Sequence, residues 1–400
     1  MAGKTTKRQT ARKLADNTES RLAASFFGCG ALENCNDNQT AVAREREKFR
    51  NDFLMAVRDE GNGLLTRHLF FDPKDYQISG QIVDGDRILW GSNAWDAHEL
   101  SSPEVDFGDA SLVKALVSDP VDNILLTSLP GGTYSVYEYG PGEQNSVRTK
   151  SIPFVRSLVN DPSKTHRVSG YTSFDIVPSY AVDSARLFNE ELGLNTSAIV
   201  GNAYRREPIE LSEHKGNDLV AIFGGMLMNA PEFLKEGRDS REVLCDYFAT
   251  INLRHGVGSY IFMTLDIERD VGKLLKRYEQ TPAFACFSLS GIARAVHEGV
   301  ITDRNYDVLG NWEAVSSWNA TACRIEIDCI ATKDHTMTTV DGDIEIKKGH
   351  KISSILSAKN PIKDIEKVAN VAGVDLVDIF PQKQQTKCGI LLKVARPPAP

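Results

Sequence analysis

The chain has 400 residues, 41% hydrophobic and 25% charged, with a formal net charge of −8. That is globular composition with length for two domains or one large elaborated one, and its acidic balance argues against nucleic acid or an anionic membrane as the main partner. No apolar run approaches the roughly 20 residues of a membrane-spanning helix, the basic N-terminus lacks the apolar core of a secretory signal, the seven cysteines form no C-x-x-C pair and the eight histidines show no ligand spacing, so a cytoplasmic chain with reduced thiols and no metal is expected.

Residues 1–20 are basic and small polar, and read as a disordered tail. Residues 40–66 read as a helix, because Val42, Phe49, Phe53, Leu54 and Val57 recur near helical spacing among charges; Asp59 to Gly63 punctuates its end. From Leu69 to Pro103 aromatics and turn formers alternate. Trp90 and Trp95 there are pocket or core residues, and core is the commoner use of aromatics. Asp109 to Leu129 reads as one helix entering a sheet domain.

Ser135 to Tyr139 is a β-rich run, broken at Gly140-Pro141-Gly142, and an apolar-periodic helix resumes near Ile152. In a Rossmann-like sheet such a turn lies at the carboxyl edge, where ligands bind. Gly140 and Gly142 let backbone approach a ligand with no Cβ between. Glu138 offers a carboxylate at the strand's end. The dinucleotide fingerprint G-x-G-x-x-G is incomplete, because Asn145 stands where the third glycine belongs, and no Walker pattern is present. The turn alone is equally a plain tight turn. As a binding site it suits a nucleoside-like ligand that needs no pyrophosphate cradle, such as S-adenosylmethionine.

The pattern then repeats. Ser169 to Pro178 is a strand ending at Asp175, whose carboxylate suits ribose hydroxyls or caps a helix. Asp183 to Leu192 is a helix with Ala185, Leu187 and Phe188 facing inward. Ser197 to Tyr204 is a strand ending at Asn202, whose amide pairs with an adenine amine. Asp218 to Phe223 is a continuous apolar run, as buried parallel strands are, ending at Gly224-Gly225 and followed by Asn229. Ser259 to Leu265 is another strand, ending at Asp266. Glu138, Asp175, Asn202, Asn229 and Asp266 thus recur at or just beyond strand ends, which says more than any single motif.

The last third changes character. Val271 to Tyr278 and Ser288 to Val300 read as helices, and Cys323 to Ala331 alternates as a half-buried strand. His335 to Ile346 reads as β structure turning at Asp341-Gly342, and a polar stretch, SSILSAKN, follows Lys347-Lys348-Gly349. Pro361 to Ala372 is a helix closed by Gly373, and Val374 to Phe380 with Cys388 to Val394 forms a closing antiparallel pair.

Several stretches together resemble the histidine-specific S-adenosylmethionine-dependent methyltransferase family, whose best-known member trimethylates the α-amine of histidine on the way to ergothioneine. They are YEYGPG with TKSIPF, FDIVPS, AIFGGMLMNAPEF, TLDIERDVGKLLKRYEQ, RIEIDCIA and IKKGHKISSILSAKN, covering roughly residues 130 to 395. The first 110 residues do not match, and the family's tyrosine-rich segment is not found there. The resemblance implies an α/β fold: a Rossmann-like class I methyltransferase domain with a second, α+β substrate-binding domain. Residues 21–109 and 267–357 would form the substrate domain, and residues 110–266 and 358–400 the cofactor domain. By position, Glu138, Gly140, Gly142, Lys150, Asp175, Asn202 and Gly224 would hold S-adenosylmethionine. The spacing from the glycines to Lys150 is longer than the family's, and Asn202 stands where the family usually has Asp.

On the substrate side the resemblance assigns Asn229 and Tyr278 to the amino-acid head group and Ser357 to the imidazole. Ile355 replaces the glutamate that grips the other side of the imidazole, and Ile327 stands where Met is common. An imidazole N–H left without its acceptor costs about 1–3 kcal/mol. Histidine is therefore not the expected substrate. The expected activity is N-methylation of a small amino acid or amino-acid-derived amine, with Tyr278 and Asn229 orienting the acceptor. The rivals are a methyltransferase of a pathway amine lacking the head group, and a non-catalytic S-adenosylmethionine-binding regulatory or interaction protein. A nucleotide-binding dehydrogenase is disfavoured by the missing third glycine. The sequence leaves the oligomeric state open.

Overall fold

The computed structural model describes residues 35–58, 65, 68–69, 82–83, 86–87, 89–101, 109–117, 124–175, 177–200, 203, 217–224, 240–278, 281–381 and 386–398. The expected tail lies outside the described residues, as do Asn202 and Asn229.

The continuous apolar runs form a parallel sheet. β1 (Gly132–Tyr139) is its centre, with β2 (His166–Asp175) on one side and β3 (Thr196–Val200) beyond it. β4 (Asn217–Ile222) lies on the other side of β1, and β5 (Tyr260–Asp266) beyond β4. All these neighbours are parallel. The last six residues of β1 and β2 and all but the last of β5 are buried, as expected of strands covered on both faces. The strand order reverses between β1 and β4, so the crevice for a ligand opens beside the carboxyl end of β1.

Helices cover the faces. α1 (Cys35–Arg58) begins before the helix expected over 40–66, and the residues just past Arg58 lie outside the described set. It buries Phe49, Phe53, Leu54 and Val57 as its spacing predicts. α2 (Gly91–Ser101) follows. The single helix expected over Asp109 to Leu129 is instead two, α3 (Asp109–Val117) and α4 (Ile124–Ser128). α5 (Ile152–Val159) packs on β2, α6 (Pro178–Leu192) packs on β2 and β3, and α7 (Ser240–His255) lies between β4 and β5 in the chain.

After β5 the chain leaves this sheet. α8 (Val271–Tyr278) and α9 (Pro282–His297) lead to a second, three-stranded antiparallel sheet. Its strands are β6 (Trp312–Asn319), β7 (Arg324–Ala331) and, after the hairpin β8 (His335–Thr339) and β9 (Gly342–Ile346), β10 (Lys351–Ala358). β6 was not expected: its polar, half-exposed WEAVSSWN carries no apolar alternation strong enough to mark a strand. The stretch SSILSAKN, expected as merely polar, is largely β10. α10 (Ile362–Val371) then returns to the large sheet, which β11 (Val374–Pro381) and β12 (Lys387–Val394) complete, β12 antiparallel to β5 and β11 antiparallel to β12.

The cores follow the sheets. Phe49, Phe53 and Trp90 from the N-terminal region share one apolar cluster with Phe287, Ile327 and Ile355 from the excursion after β5, with Trp95 packed against it. Trp90 is therefore a core residue, and Trp95, half-buried, packs against the core. Two further clusters cover the two faces of the large sheet. No described helix is long and apolar enough to cross a membrane.

Candidate functional site

At the carboxyl end of β1 the backbone turns sharply. Gly140 and Gly142 both adopt positive φ, 69° and 76°, where a Cβ is strained. The Gly140 N–H donates to the Phe174 carbonyl at 2.8 Å, tying the turn to β2. Asp175, the last residue of β2, closes it: Oδ1 accepts the Val177 N–H at 2.8 Å, and Oδ2 lies 3.4 Å from the Gly142 nitrogen. The carboxylate closes the turn before α6 and is not its N-cap, a place Val177 holds with no side-chain bond, so the helix-cap alternative is not what the fold uses.

Glu138 is buried and accepts hydrogen bonds from Ser151 Oγ at 2.5 Å and Tyr171 Oη at 2.7 Å. Burial pushes its carboxyl up to about 7, against the opposing pull of those two hydroxyls and of the Lys150 charge. Ser151 and Lys150 lie in a π turn, Val147–Ser151, before α5. A π turn closes on i→i+5 bonds and so holds one residue more than an α turn. Part of the longer spacing from the glycines is taken up there, and it brings Ser151 onto Glu138 with Lys150 close enough for its charge to act.

The short helical turn Gln144–Ser146, which runs into the π turn, carries the sharpest information about the ligand. Glu143 caps it with its own side chain: Oε2 accepts the Asn145 N–H and Oε1 the Ser146 N–H, each at 2.8 Å. In a dinucleotide site those N–H groups face a pyrophosphate. Here a carboxylate already holds them, and its charge repels an anion. The turn fits a nucleoside bearing a sulfonium cation, with Gly140 and Gly142 as the open backbone and Asp175 as the nearby carboxylate. Gly224, just past β4, donates its N–H to Thr264 Oγ1 at 2.8 Å.

A second group of expected residues meets on the small sheet. Strands β7 and β10 pair antiparallel, but the register shifts between Ser353, opposite Asp328, and Ile355, opposite Ile327. This bulge inserts Ser354 and turns Ile355 and Ser357 to the buried face that Ile325 and Ile327 occupy. Without it, period two would aim Ile355 with Ser353, toward the other face. Tyr278, at the end of α8, reaches the same place, its hydroxyl 3.0 Å from Ser357 Oγ. Tyr278 is also a core aromatic, packed edge-on against Phe284.

Asp266, at the end of β5, is not an open ligand group. Its Oδ2 receives Arg277 Nη1 at 2.8 Å and Lys359 Nζ at 3.3 Å. Burial would raise its carboxyl, but Lys359, Lys387 and Arg277 outweigh that and hold it below the usual range. Sequence reasoning missed Lys359, Ser151 and Tyr171. None of the three carried a signal in the sequence, because only the fold sets them against a carboxylate.

Residues 122–394 match the family described as histidine-specific, SAM-dependent methyltransferases. No curated protein matches. Among solved structures, the chain is similar to an S-adenosylmethionine-dependent methyltransferase from Clostridium acetobutylicum, with 10% identity, a TM-score of 0.39, and coverage of 76% of this chain and 98% of that one. It is similar also to magnesium protoporphyrin IX methyltransferase from Synechocystis, with 9% identity, a TM-score of 0.37, and coverage of 75% and 93%. A sugar N-methyltransferase from Streptoalloteichus gives 10% identity, a TM-score of 0.34, and coverage of 78% and 97%. Likeness at this level says nothing of the substrate.

Proposed function

The chain belongs to the family of histidine-specific, S-adenosylmethionine-dependent methyltransferases, and from that premise we propose that it methylates the amine of a small amino acid or amino-acid-derived metabolite other than histidine. Glu138, Gly140, Gly142, Lys150, Asp175, Asn202 and Gly224 are assigned to the cofactor. Asn229, Tyr278, Ile327, Ile355 and Ser357 are assigned to the substrate, with Tyr278 and Asn229 as the catalytic pair.

The observation that carries the reading is the apolar pair Ile355 and Ile327, directly opposite each other and buried beside Ser357 and Tyr278. An imidazole there would keep one ring nitrogen on Ser357 and lose any partner for the other, at about 1–3 kcal/mol. An apolar or aromatic side chain loses nothing and buries area at about 25 cal/mol per Å².

S-adenosylmethionine, when bound, supplies an electrophilic methyl group. The acceptor nitrogen must be neutral, since its lone pair makes the new bond. Neither a phenol hydroxyl nor an amide takes up a proton at neutral pH, so the ammonium proton leaves to water before attack. Tyr278 and Asn229 then contribute orientation, which can supply much of the rate.

The test is a mass-spectrometric screen of purified protein with S-adenosylmethionine, the twenty amino acids and simple amines. A methylated amino acid other than histidine is expected. Histidine methylated at least as fast as every other amino acid defeats the substrate assignment, and methylation of plain amines alone replaces it.

A further inference from the structure

Tyr278 and Ser357 are tied together by a third group. Lys359 directly follows β10, and its side chain is buried. Its ammonium reaches three acceptors: Asp266 Oδ2 at 3.3 Å, Tyr278 Oη at 3.1 Å and Ser357 Oγ at 3.2 Å. The two hydroxyls are 3.0 Å from each other. Burial alone would lower the Lys359 pKa, but Tyr278 and Asp266 outweigh it and hold the ammonium above its ordinary value. Lys359 therefore carries its charge where water does not reach.

The protons in this triangle can be counted. An ammonium has three donors and no lone pair, so every contact of Lys359 runs outward from it. Tyr278 and Ser357 each accept from Lys359 and bring one proton of their own. The single edge between them uses one of those protons. The other has no place inside the triangle. A phenol oxygen shares its lone pair with the ring and accepts a second bond poorly, so Tyr278 donates to Ser357 and the Ser357 proton points out. The charge count has the same sense. Asp266 already holds Arg277 at 2.8 Å, and Lys387, 3.9 Å from Asp109, acts on it as well, so two carboxylates face three cations.

We infer that Lys359 is a positioning residue that makes the Tyr278–Ser357 pair a hydrogen-bond donor backed by buried positive charge, and so selects substrates presenting a carboxylate to that pair over those presenting an amine or N–H group. This rests on the reading of Tyr278 and Ser357 as substrate-facing, and moves Ser357 from the side-chain end, where the resemblance puts it, to the carboxylate end beside Tyr278. It adds a cause: the hydroxyls discriminate because Lys359 occupies their acceptor sites. It also links the two sheets, since Asp266 ends a strand of one and Lys359 follows a strand of the other.

The test uses the full chain with S-adenosylhomocysteine, titrated calorimetrically with the twenty amino acids and their decarboxylated amines. The best-binding amino acid should exceed its own amine roughly tenfold or more, the scale of one charge-assisted hydrogen bond. Lys359→Met should erase that ratio, raise KM far more than it lowers kcat, and leave cofactor affinity unchanged; Lys359→Arg should restore most of it. A ratio unchanged in Lys359→Met, or amines bound as tightly as acids, overturns the inference, as does binding of no carboxylate-bearing compound. An amino acid that binds in this way without being methylated overturns the amine-methylation reading and leaves the Lys359 inference standing. Should Lys359→Met fail to fold, the Lys359 Nζ resonance in 15N-lysine-labelled protein decides. It should shift in both Ser357→Ala and Tyr278→Phe, and a signal unmoved in both overturns the inference.

Discussion

The cofactor edge of the large sheet and the buried face of the small sheet are built in opposite ways. At the edge, Glu138, Gly140, Gly142, Ser151 and Asp175 come from two neighbouring strands and the segment that joins them, and the chemistry is largely backbone: two positive-φ glycines, a self-capped helical turn and a carboxylate on two backbone nitrogens. Where the small sheet meets the large one, Asp266 from β5, Tyr278 from α8, Ile327 from β7, and Ile355, Ser357 and Lys359 in and just after β10 come together, and the chemistry is all side chain. In the proposed function the edge would hold a cofactor whose shape is fixed, so local geometry suffices. In the proposed function the small sheet would set a preference among related molecules through single buried side chains.

The largest expected effect tests whether the edge is as rigid as this contrast requires. Glu138 titrates near 7 in the fold, against 4.5 as its ordinary value. Between those values the folded chain keeps a proton that the unfolded chain has lost. The stabilisation is complete below about pH 4.5, falls as pH rises through 7 and is gone above, a change of about 3 kcal/mol at 1.36 kcal/mol per pH unit. Denaturant titrations at pH 5 and pH 8 should show that loss in the native chain and a smaller one in Glu138→Gln. Equal losses in both would mean that Glu138 is ionised throughout.

The next effect falls on the small sheet. Ile355→Glu puts a carboxylate beside Ser357 and should raise kcat/KM for histidine by roughly tenfold to a hundredfold, equivalent to about 1–3 kcal/mol. Competition between histidine and the preferred amino acid measures it. No gain would show that other parts of the pocket exclude histidine.

Gly142→Val returns to the edge. A β-branched residue at φ 76° costs about 1–2 kcal/mol or more, so S-adenosylmethionine affinity by calorimetry should fall roughly tenfold while the chain still folds. Unchanged affinity would remove this turn from the cofactor site.

The smallest effect separates the two regions directly. Tyr278→Phe removes one hydroxyl, worth about 1 kcal/mol, and should lower kcat/KM for the amine several-fold with cofactor affinity intact. An equal fall in cofactor affinity would make Tyr278 a structural link between the regions.

The sequence by itself determined what depends on neighbours along the chain. The parallel strand β4 was legible from the continuous apolar run Asp218 to Phe223, and the β7 strand from its period of two, because burial on two faces or one leaves those patterns. The glycine turn was legible because positive φ calls for glycine. Strand β6 was not, since its exposed face dilutes the pattern, nor was the break between α3 and α4. The tertiary structure alone decided the rest. One inserted residue, Ser354, aims Ile355 and Ser357 at Tyr278, and nothing in SSILSAKN announces a bulge whose cause is pairing with β7. Lys359 reads as an ordinary surface lysine until Asp266, Tyr278 and Ser357 close around it. A buried charge is tolerable only with partners, and partners that are distant in sequence are supplied by the fold.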